Sequence, residues 1–257
     1  MTADQRRAGF WRRLLSLTTD SIVVFLPFQI IAAVLFALTV GSIQFADGLT
    51  FTACKQATQL PENLSPAPPA NANSASECRI FFFGAETARR LTVRRVTKEG
   101  NTTYIVAQQY MLDKNSNQVN GYSLEWIAIL TLIGYLILAK SLKGQTLGDR
   151  ATKIAVVNTG ENFGSPVPLK KLVVRYLILA APIAPVVLVQ GYFLGTSGNS
   201  ANQLATNGFL MWSLIAAAPA FVLYFICVVQ IARKRDPLYD RIAKTAVIRA
   251  SWGAEIP

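Results

Sequence analysis

Of 257 residues, 52% are hydrophobic and only 15% charged, with 25 Lys and Arg against 14 Asp and Glu, a formal net charge of +11. The mean hydropathy is +0.34, too apolar for an ordinary soluble domain of this length. No Asp, Glu, Lys or Arg occurs between Arg175 and Arg233, and histidine is absent throughout, which removes His-based triads, most zinc sites and imidazole proton relays. Three cysteines are too few for a disulfide-dense scaffold or an iron–sulfur centre. The composition is that of an α-helical integral membrane protein, with no nucleic-acid partner, cofactor or metal implied.

A helix needs about 20 mostly apolar residues to cross the hydrocarbon. The first such run is about Ser16 to Ile43, and the second about Leu124 to Leu142, with Glu125 and Lys140 near enough to its ends to reach the headgroups. The uncharged block that follows is too long for one helix. It breaks at the polar, glycine-rich stretch Gly195 to Gly208, leaving spans of about Leu172–Leu194 and Phe209–Ala232. Four helices are expected. The N-terminal apolar run is longer than a signal-peptide core and lacks a small-residue cleavage site, so it reads as a signal anchor that becomes the first span.

Orientation follows the short basic segments. Arg6, Arg7, Arg12 and Arg13 precede the first span; Lys140, Lys143, Arg150, Lys153, Lys170, Lys171 and Arg175 lie between the second and third; Arg233, Lys234, Arg235, Arg241, Lys244 and Arg249 follow the fourth. The stretch between spans three and four has none. Both termini are therefore expected in the cytoplasm. The chain divides into residues 1–45 (N-terminus and first helix), an extracytoplasmic insertion 46–122, and residues 123–257 with three helices, a cytoplasmic loop 143–171 and a C-terminal tail.

The insertion contains Cys54 and Cys78 on either side of a Pro-rich segment, Leu60–Asn71, whose small residues and prolines build no core of their own. An outside location is oxidising, so a Cys54–Cys78 disulfide is expected, against the reading of two unpaired thiols. Cys227, inside the fourth span, reads as a small apolar core residue. Strand signals follow at Arg79–Phe83, Leu91–Val96 and Tyr104–Tyr110, with a turn at Lys98–Asn101, which suggests a small antiparallel β domain of three to five strands. Arg89, Arg90, Arg94 and Arg95 either face an acidic ligand or anionic lipid or form the solvated face of a strand pair.

In the first helix, Arg13 and Asp20 are seven residues apart, on one face and roughly 10 Å apart along the axis. An ionised acid in mid-membrane costs on the order of 3 kcal/mol, so Asp20 needs protein or water around it and a partner, for which Arg175 is the expected residue. Two readings stay open: Asp20 binds a cation or proton on a transport pathway, or an Asp20–Arg175 bridge fixes helix packing. Ser16, Thr18, Thr19 and Gln29 add hydrogen-bonding capacity, and Pro27 permits a kink. After the second span, Lys143-Gly-Gln-Thr-Leu-Gly-Asp-Arg150 suggests a tight turn at the membrane surface, and it lacks the pattern of a phosphate loop. Lys153–Asn158 alternates like a strand, ended by a turn at Thr159–Asn162. It is expected to pair under the membrane with Thr245–Arg249, placing Asp240 and Arg241 near that turn.

Three patches together resemble the RDD family of membrane proteins: Ala8-Gly-Phe-Trp-Arg-Arg13…Asp20; Gly144-Gln145-Thr146-Leu-Gly148-Asp-Arg with Leu169…Arg175; and Tyr239-Asp240-Arg-Ile-Ala-Lys-Thr245. The resemblance implies that Arg13, Asp20 and Asp240 are the family's arginine and two aspartates. It covers residues 8–45 and 124–250 and leaves the insertion unexplained. Asp149 stands where a basic residue is common in the family, which weakens any anion-binding role for the turn. The family is described as poorly characterised, with transport suggested and cation/proton antiport proposed for a member; the expected location is a bacterial inner (plasma) membrane.

The functional expectations are then a small-ion or solute transporter with Asp20 as its site and Arg13 and Arg175 tuning it, or a non-transporting accessory subunit that works through the extracytoplasmic domain. Four helices enclose little space, so transport implies a homo-oligomer or partner membrane protein. No facing aspartate pair, Ser/His pair or ligand set points to an enzyme.

Overall fold

The computed structural model describes residues 7–57, 59–61, 63–100, 102–159, 167–196 and 207–249. Arg6, the turn at Gly160–Asn162, Asn101 of the hairpin turn and residues 197–206 between the last two spans lie outside the described residues. Among the described residues four helices are long and apolar enough to cross a membrane: Phe10–Leu38, Glu125–Lys143, Leu169–Tyr192 and Gly208–Ala232. All four expected spans are present, with ends shifted by a few residues. Most of each span is exposed side chain, as for helices whose surroundings are hydrocarbon rather than water.

The first helix, α1 (Phe10–Leu38), keeps Pro27 inside it and starts six residues earlier than its apolar run, because Trp11, Arg12 and Arg13 are helical as well. It stops where Val40 and Gly41 turn left-handed, with the Gly41 amide donating to the Phe36 carbonyl. Later elements are β1 (Ile43–Gln44), β2 (Phe51–Gln56), β3 (Ser74–Phe82), β4 (Ala85–Glu99), β5 (Thr102–Met111), β6 (Tyr122–Ser123), α2 (Glu125–Lys143), α3 (Leu147–Thr152), β7 (Ile154–Asn158), α4 (Leu169–Ala180), α5 (Ala184–Thr196), α6 (Asn207–Ala232), α7 (Leu238–Ala243) and β8 (Thr245–Arg249). The third span is α4 and α5 joined through a 3-10 turn, Ala181–Ile183, at Pro182, whose missing N–H breaks the α ladder.

The chain folds as two compact units. One comprises residues 25–129 and 190–212 and contains a four-stranded antiparallel sheet in the order β2-β3-β4-β5. Cys54 and Cys78 sit directly opposite each other on β2 and β3 and are joined in a disulfide. Leu91, Val93, Tyr110 and Leu112 form the core of the sheet's inner face. The Pro-rich segment builds no core of its own but packs onto this one. Leu64 and Ala72 lie against it, and the Tyr110 hydroxyl donates to the Pro66 carbonyl at 2.9 Å.

The arginines of β4 divide. Arg89 is buried and bonded to Glu86 through both Nε (2.7 Å) and Nη2 (2.9 Å); that bond, against the cost of burial, holds its guanidinium firmly in the charged form. Arg90 pairs with Glu125, and Arg94 is exposed. Arg89 therefore fits neither a ligand-facing nor a solvated reading. Glu125 also accepts from the Ala46 amide at 3.0 Å rather than running free to the headgroups.

The other unit comprises residues 1–24, 130–189 and 213–257. Its small sheet is the expected pair: β7 runs antiparallel to β8 with Val156 opposite Val247. One face is covered by Ala8, Val167 and Leu172 around Ile154, Val156 and Val247, and on the other Ala155, Val157 and Ala246 are buried in a cluster of their own. Cys227 is a free, buried thiol in α6, as its apolar surroundings suggested.

Candidate functional site

All the polar groups of interest lie in the second of these units. Helical spacing brings Arg13, Ser16 and Asp20 to one face of α1. Against that face the chain places α3, whose entry is set by its own residues. Gly144 takes a left-handed φ of +68°, and Thr146 then caps the helix. The Thr146 hydroxyl accepts from the Asp149 amide at 3.1 Å while the Asp149 carboxylate accepts from the Thr146 amide at 3.2 Å, a reciprocal capping box. Gln145 ties the turn to the sheet through the Ile154 carbonyl at 2.8 Å.

Asp20 is 1% exposed. Its carboxylate accepts from the Thr146 hydroxyl at 2.6 Å, the Gly148 amide at 2.8 Å and the Tyr135 hydroxyl at 3.3 Å. Tyr135 is itself positioned by accepting from the Leu147 amide at 2.9 Å. The contact with α3 is possible because residue 148 is glycine: a Cβ there would meet the Ser16 carbonyl oxygen at 2.1 Å and the Asp20 carboxyl carbon at 2.8 Å.

The expected Asp20–Arg175 bridge does not form. Arg175 donates to Asp240 at 2.7 Å, and Arg13 reaches the other oxygen of the same carboxylate at 3.0 Å. Thr245 adds a hydroxyl bond at 2.8 Å, and the Tyr239 ring lies under the Arg175 guanidinium at 5.2 Å. Asp240 is fully buried and so takes both arginines, since one buried carboxylate between two cations is better compensated than a shared alternative. Burial, with the Asp240 charge behind it, pushes the Tyr239 hydroxyl toward its neutral form. Arg241 does not join this group. It is exposed and faces Arg7, Gln230 and Asp236.

Lys140 also departs from expectation. It does not run to the headgroups but is buried beside Asp149, 3.4 Å away. Asp149 additionally accepts from the Ser16 hydroxyl at 2.7 Å. Burial opposes its ionisation, but the Lys140 charge and the Ser16 and Thr146 hydrogen bonds outweigh that and hold the carboxyl below the usual aspartate range.

These groups border a cavity of about 150 Å³ lined by Arg13, Ser16, Asp20, Lys140, Asp149, Arg175, Tyr176 and Tyr239, with Leu17, Leu136, Ile154, Val156, Leu179 and Val247 as apolar wall. Three carboxylates (Asp20, Asp149, Asp240) face three cations (Arg13, Lys140, Arg175). Two carboxylates have cationic partners. Among the described residues no Lys or Arg nitrogen lies within 4.0 Å of Asp20, so its charge is offset only by neutral donors and by the field of the group as a whole.

The chain carries a signal that would have found Asp149. The segment Leu147–Asn158 repeats as Leu238–Arg249: Leu147 and Leu238, Asp149 and Asp240, Arg150 and Arg241, Lys153 and Lys244, Ala155 and Ala246, and Val156 and Val247 coincide. Each copy is a six-residue helix, a left-handed lysine (φ 56° and 52°) and a five-residue strand. Because Val156 pairs with its own equivalent, Val247, the two strands are related by a local twofold axis through that pair. Asp149 and Asp240 are thus the same position of two copies, each the third residue of its helix and each holding buried cations.

A model of the RDD family matches residues 7–244, which include the helices around the cavity and β7 but stop one residue short of β8. Neither the curated proteins nor the solved structures compared with the chain give a match. Arg13 and Asp20 line one cavity, Asp240 pairs with the Arg13 and Arg175 of its wall, and the chain belongs to the RDD family of membrane proteins.

Proposed function

We propose that the protein is a transporter of a small cation, exchanging it against protons, with Asp20 as the exchangeable site. The observation that supports this reading is the difference among the three buried carboxylates. Asp149 and Asp240 are each compensated by cations, which makes them poor hosts for a further positive charge. Asp20 is held only by two hydroxyls and an amide and borders the cavity. A proton or a small cation on Asp20 completes the compensation that Lys and Arg supply at the other two. Thr146 and Tyr135 adapt to either state, since a hydroxyl donates to a carboxylate and accepts from a carboxylic acid.

The basic segments beside the spans support a reading in which this cavity and both termini face the cytoplasm across a cell membrane. The sparse burial of the four spans fits a homo-oligomer, in which further copies enclose the pathway. The chain is read as a transporter and not an enzyme.

The test is cation-driven proton flux in liposomes that contain the purified chain, compared with Asp20→Asn. Asparagine keeps the size and the acceptor oxygen but not the exchangeable charge, so flux is lost while membrane level and helicity stay close to normal. Flux unchanged by the substitution refutes the assignment of Asp20. A second reading, an accessory subunit that engages a partner through the insertion, draws on β2, an edge strand whose six residues are all exposed and offer an unpaired backbone ladder. Deleting residues 55–120 abolishes partner capture on that reading and spares flux on the first.

A further inference from the structure

Outside the Asp20 cavity, the same unit contains a second recess, of about 330 Å³, lined by Arg7, Gln230, Lys234, Arg235, Asp236 and Arg241. Its residues come from three separate parts of the chain. Helix α6 ends where Lys234 turns left-handed (φ 56°), with the Arg235 amide closing onto the Gln230 carbonyl at 2.8 Å. This turn sends the chain through Asp236 and Pro237 into α7, which contributes Arg241. The N-terminal segment runs beside β8, its Ala8 amide donating to the Val247 carbonyl at 3.0 Å, and so brings Arg7 to the same place, where it pairs with Asp236.

That pair neutralises the single acid among the described residues of the recess. Lys234, Arg235 and Arg241 remain, all exposed and without a carboxylate within ion-pair distance among the described residues. A topological preference for basic residues beside a span accounts for Lys234 and Arg235 at the end of α6. It does not require Arg7 and Arg241, distant in sequence, to converge on the same recess.

We infer that this recess binds a phosphate group, that of an anionic lipid headgroup at the cytoplasmic surface. The recess opens at the end of a membrane-spanning helix, the depth at which headgroup phosphates lie. Two guanidinium forks match a phosphate's paired oxygens, and Lys234 supplies a point charge. A membrane diester phosphate and a free phosphate share this chemistry, and the test separates them. The inference is independent of any ion at Asp20.

The experiment is native mass spectrometry of the purified full chain in detergent, titrated with phosphatidylglycerol, with phosphatidylcholine and with inorganic phosphate. Three forms are compared: the natural chain, Arg235→Gln/Arg241→Gln, and Lys143→Gln/Lys170→Gln, which removes two exposed cations elsewhere in the cytoplasmic segments. Phosphatidylglycerol binds the natural chain in preference to phosphatidylcholine. Removing Arg235 and Arg241 weakens it on the order of twentyfold, from about fivefold per charge, while the control pair changes it little. Strong competition by millimolar inorganic phosphate, lost in the same variant, supports the site but assigns it to free phosphate. Equal loss in both variants, or none in either, overturns the proposal, because only diffuse charge would then be at work. Arg241→Lys guards against a folding defect: it keeps the charge and the fold, and retains part of the affinity.

Discussion

Replacing Gly148 by alanine puts a methyl carbon 2.1 Å from the Ser16 carbonyl oxygen, an atom of the α1 backbone that cannot rotate away. Restoring that contact to an ordinary separation of about 3.4 Å requires α3 to retreat from α1 by roughly 1.3 Å. The Gly148 amide then stands about 4 Å from Asp20 instead of 2.8 Å, beyond hydrogen-bonding range. Two costs follow: a lost bond to a buried charged group, about 1.5–3 kcal/mol, and overpacking, about 1–3 kcal/mol. Together they predict a destabilisation on the order of 3–5 kcal/mol. Thermal unfolding in detergent reads this as a fall of about 6–20 °C for a chain of this size. Gly134→Ala is the control: it lies in α2 with nothing within 4 Å of its would-be Cβ, so alanine there is neutral or stabilising by up to about 1 kcal/mol. If Gly148→Ala melts like the natural chain, the close approach of α3 to α1 is wrong, and with it the hydrogen-bond set assigned to Asp20.

Three further expectations follow from the same geometry. Asp240→Ala leaves the buried Arg175 and the half-buried Arg13 without this counter-charge and costs about 3–5 kcal/mol; adding Arg175→Met restores part of the lost melting temperature, and an additive double variant would contradict the shared pairing. Asp149 has a folded-state pKa below its unfolded one, so its contribution is complete above about pH 4 and fades as the pH falls through the lower, folded value. The stability gap between the natural chain and Asp149→Asn should accordingly narrow only below about pH 4, and a gap that is constant from pH 7 to 3 refutes the assignment. Cutting the Cys54–Cys78 link, which closes a separation of 24 residues, by Cys54→Ser/Cys78→Ser costs the β domain about 3 kcal/mol by chain entropy; protease resistance of residues 46–122 unchanged by the double substitution would show that the sheet holds without it.

Several features were legible because they depend on local sequence. A strand signal such as Tyr104–Tyr110 is written in alternation, and it lies within β5. The pairing of β7 with β8 was readable because two short alternating runs lay beside the same apolar surface. What was misread is instructive. Lys140, near the end of a span, looked free to reach the headgroups, a reading that ignored Asp149 as a carboxylate able to hold it. The strand Phe51–Gln56 was missed because its first cysteine and exposed polar residues carry no alternation to read. The internal repeat was in plain view of the sequence and needed only a self-comparison.

The four apolar spans, the basic flanks, the cysteine pair and the three motif patches were determined by the sequence itself, since transfer into hydrocarbon depends on some 20 contiguous residues and not on their neighbours in space. The partners of the buried charges were decided only by the tertiary structure. Arg175 is one residue from the uncharged block and was an apt match for Asp20 by depth. Yet α7 delivers Asp240 between Arg13 and Arg175, and α3 delivers a hydroxyl and an amide to Asp20. Charge and depth limit which residues can pair. Which of them do pair is settled by how segments distant in the sequence pack, because a buried ion pair exists only where two side chains meet within a few ångströms.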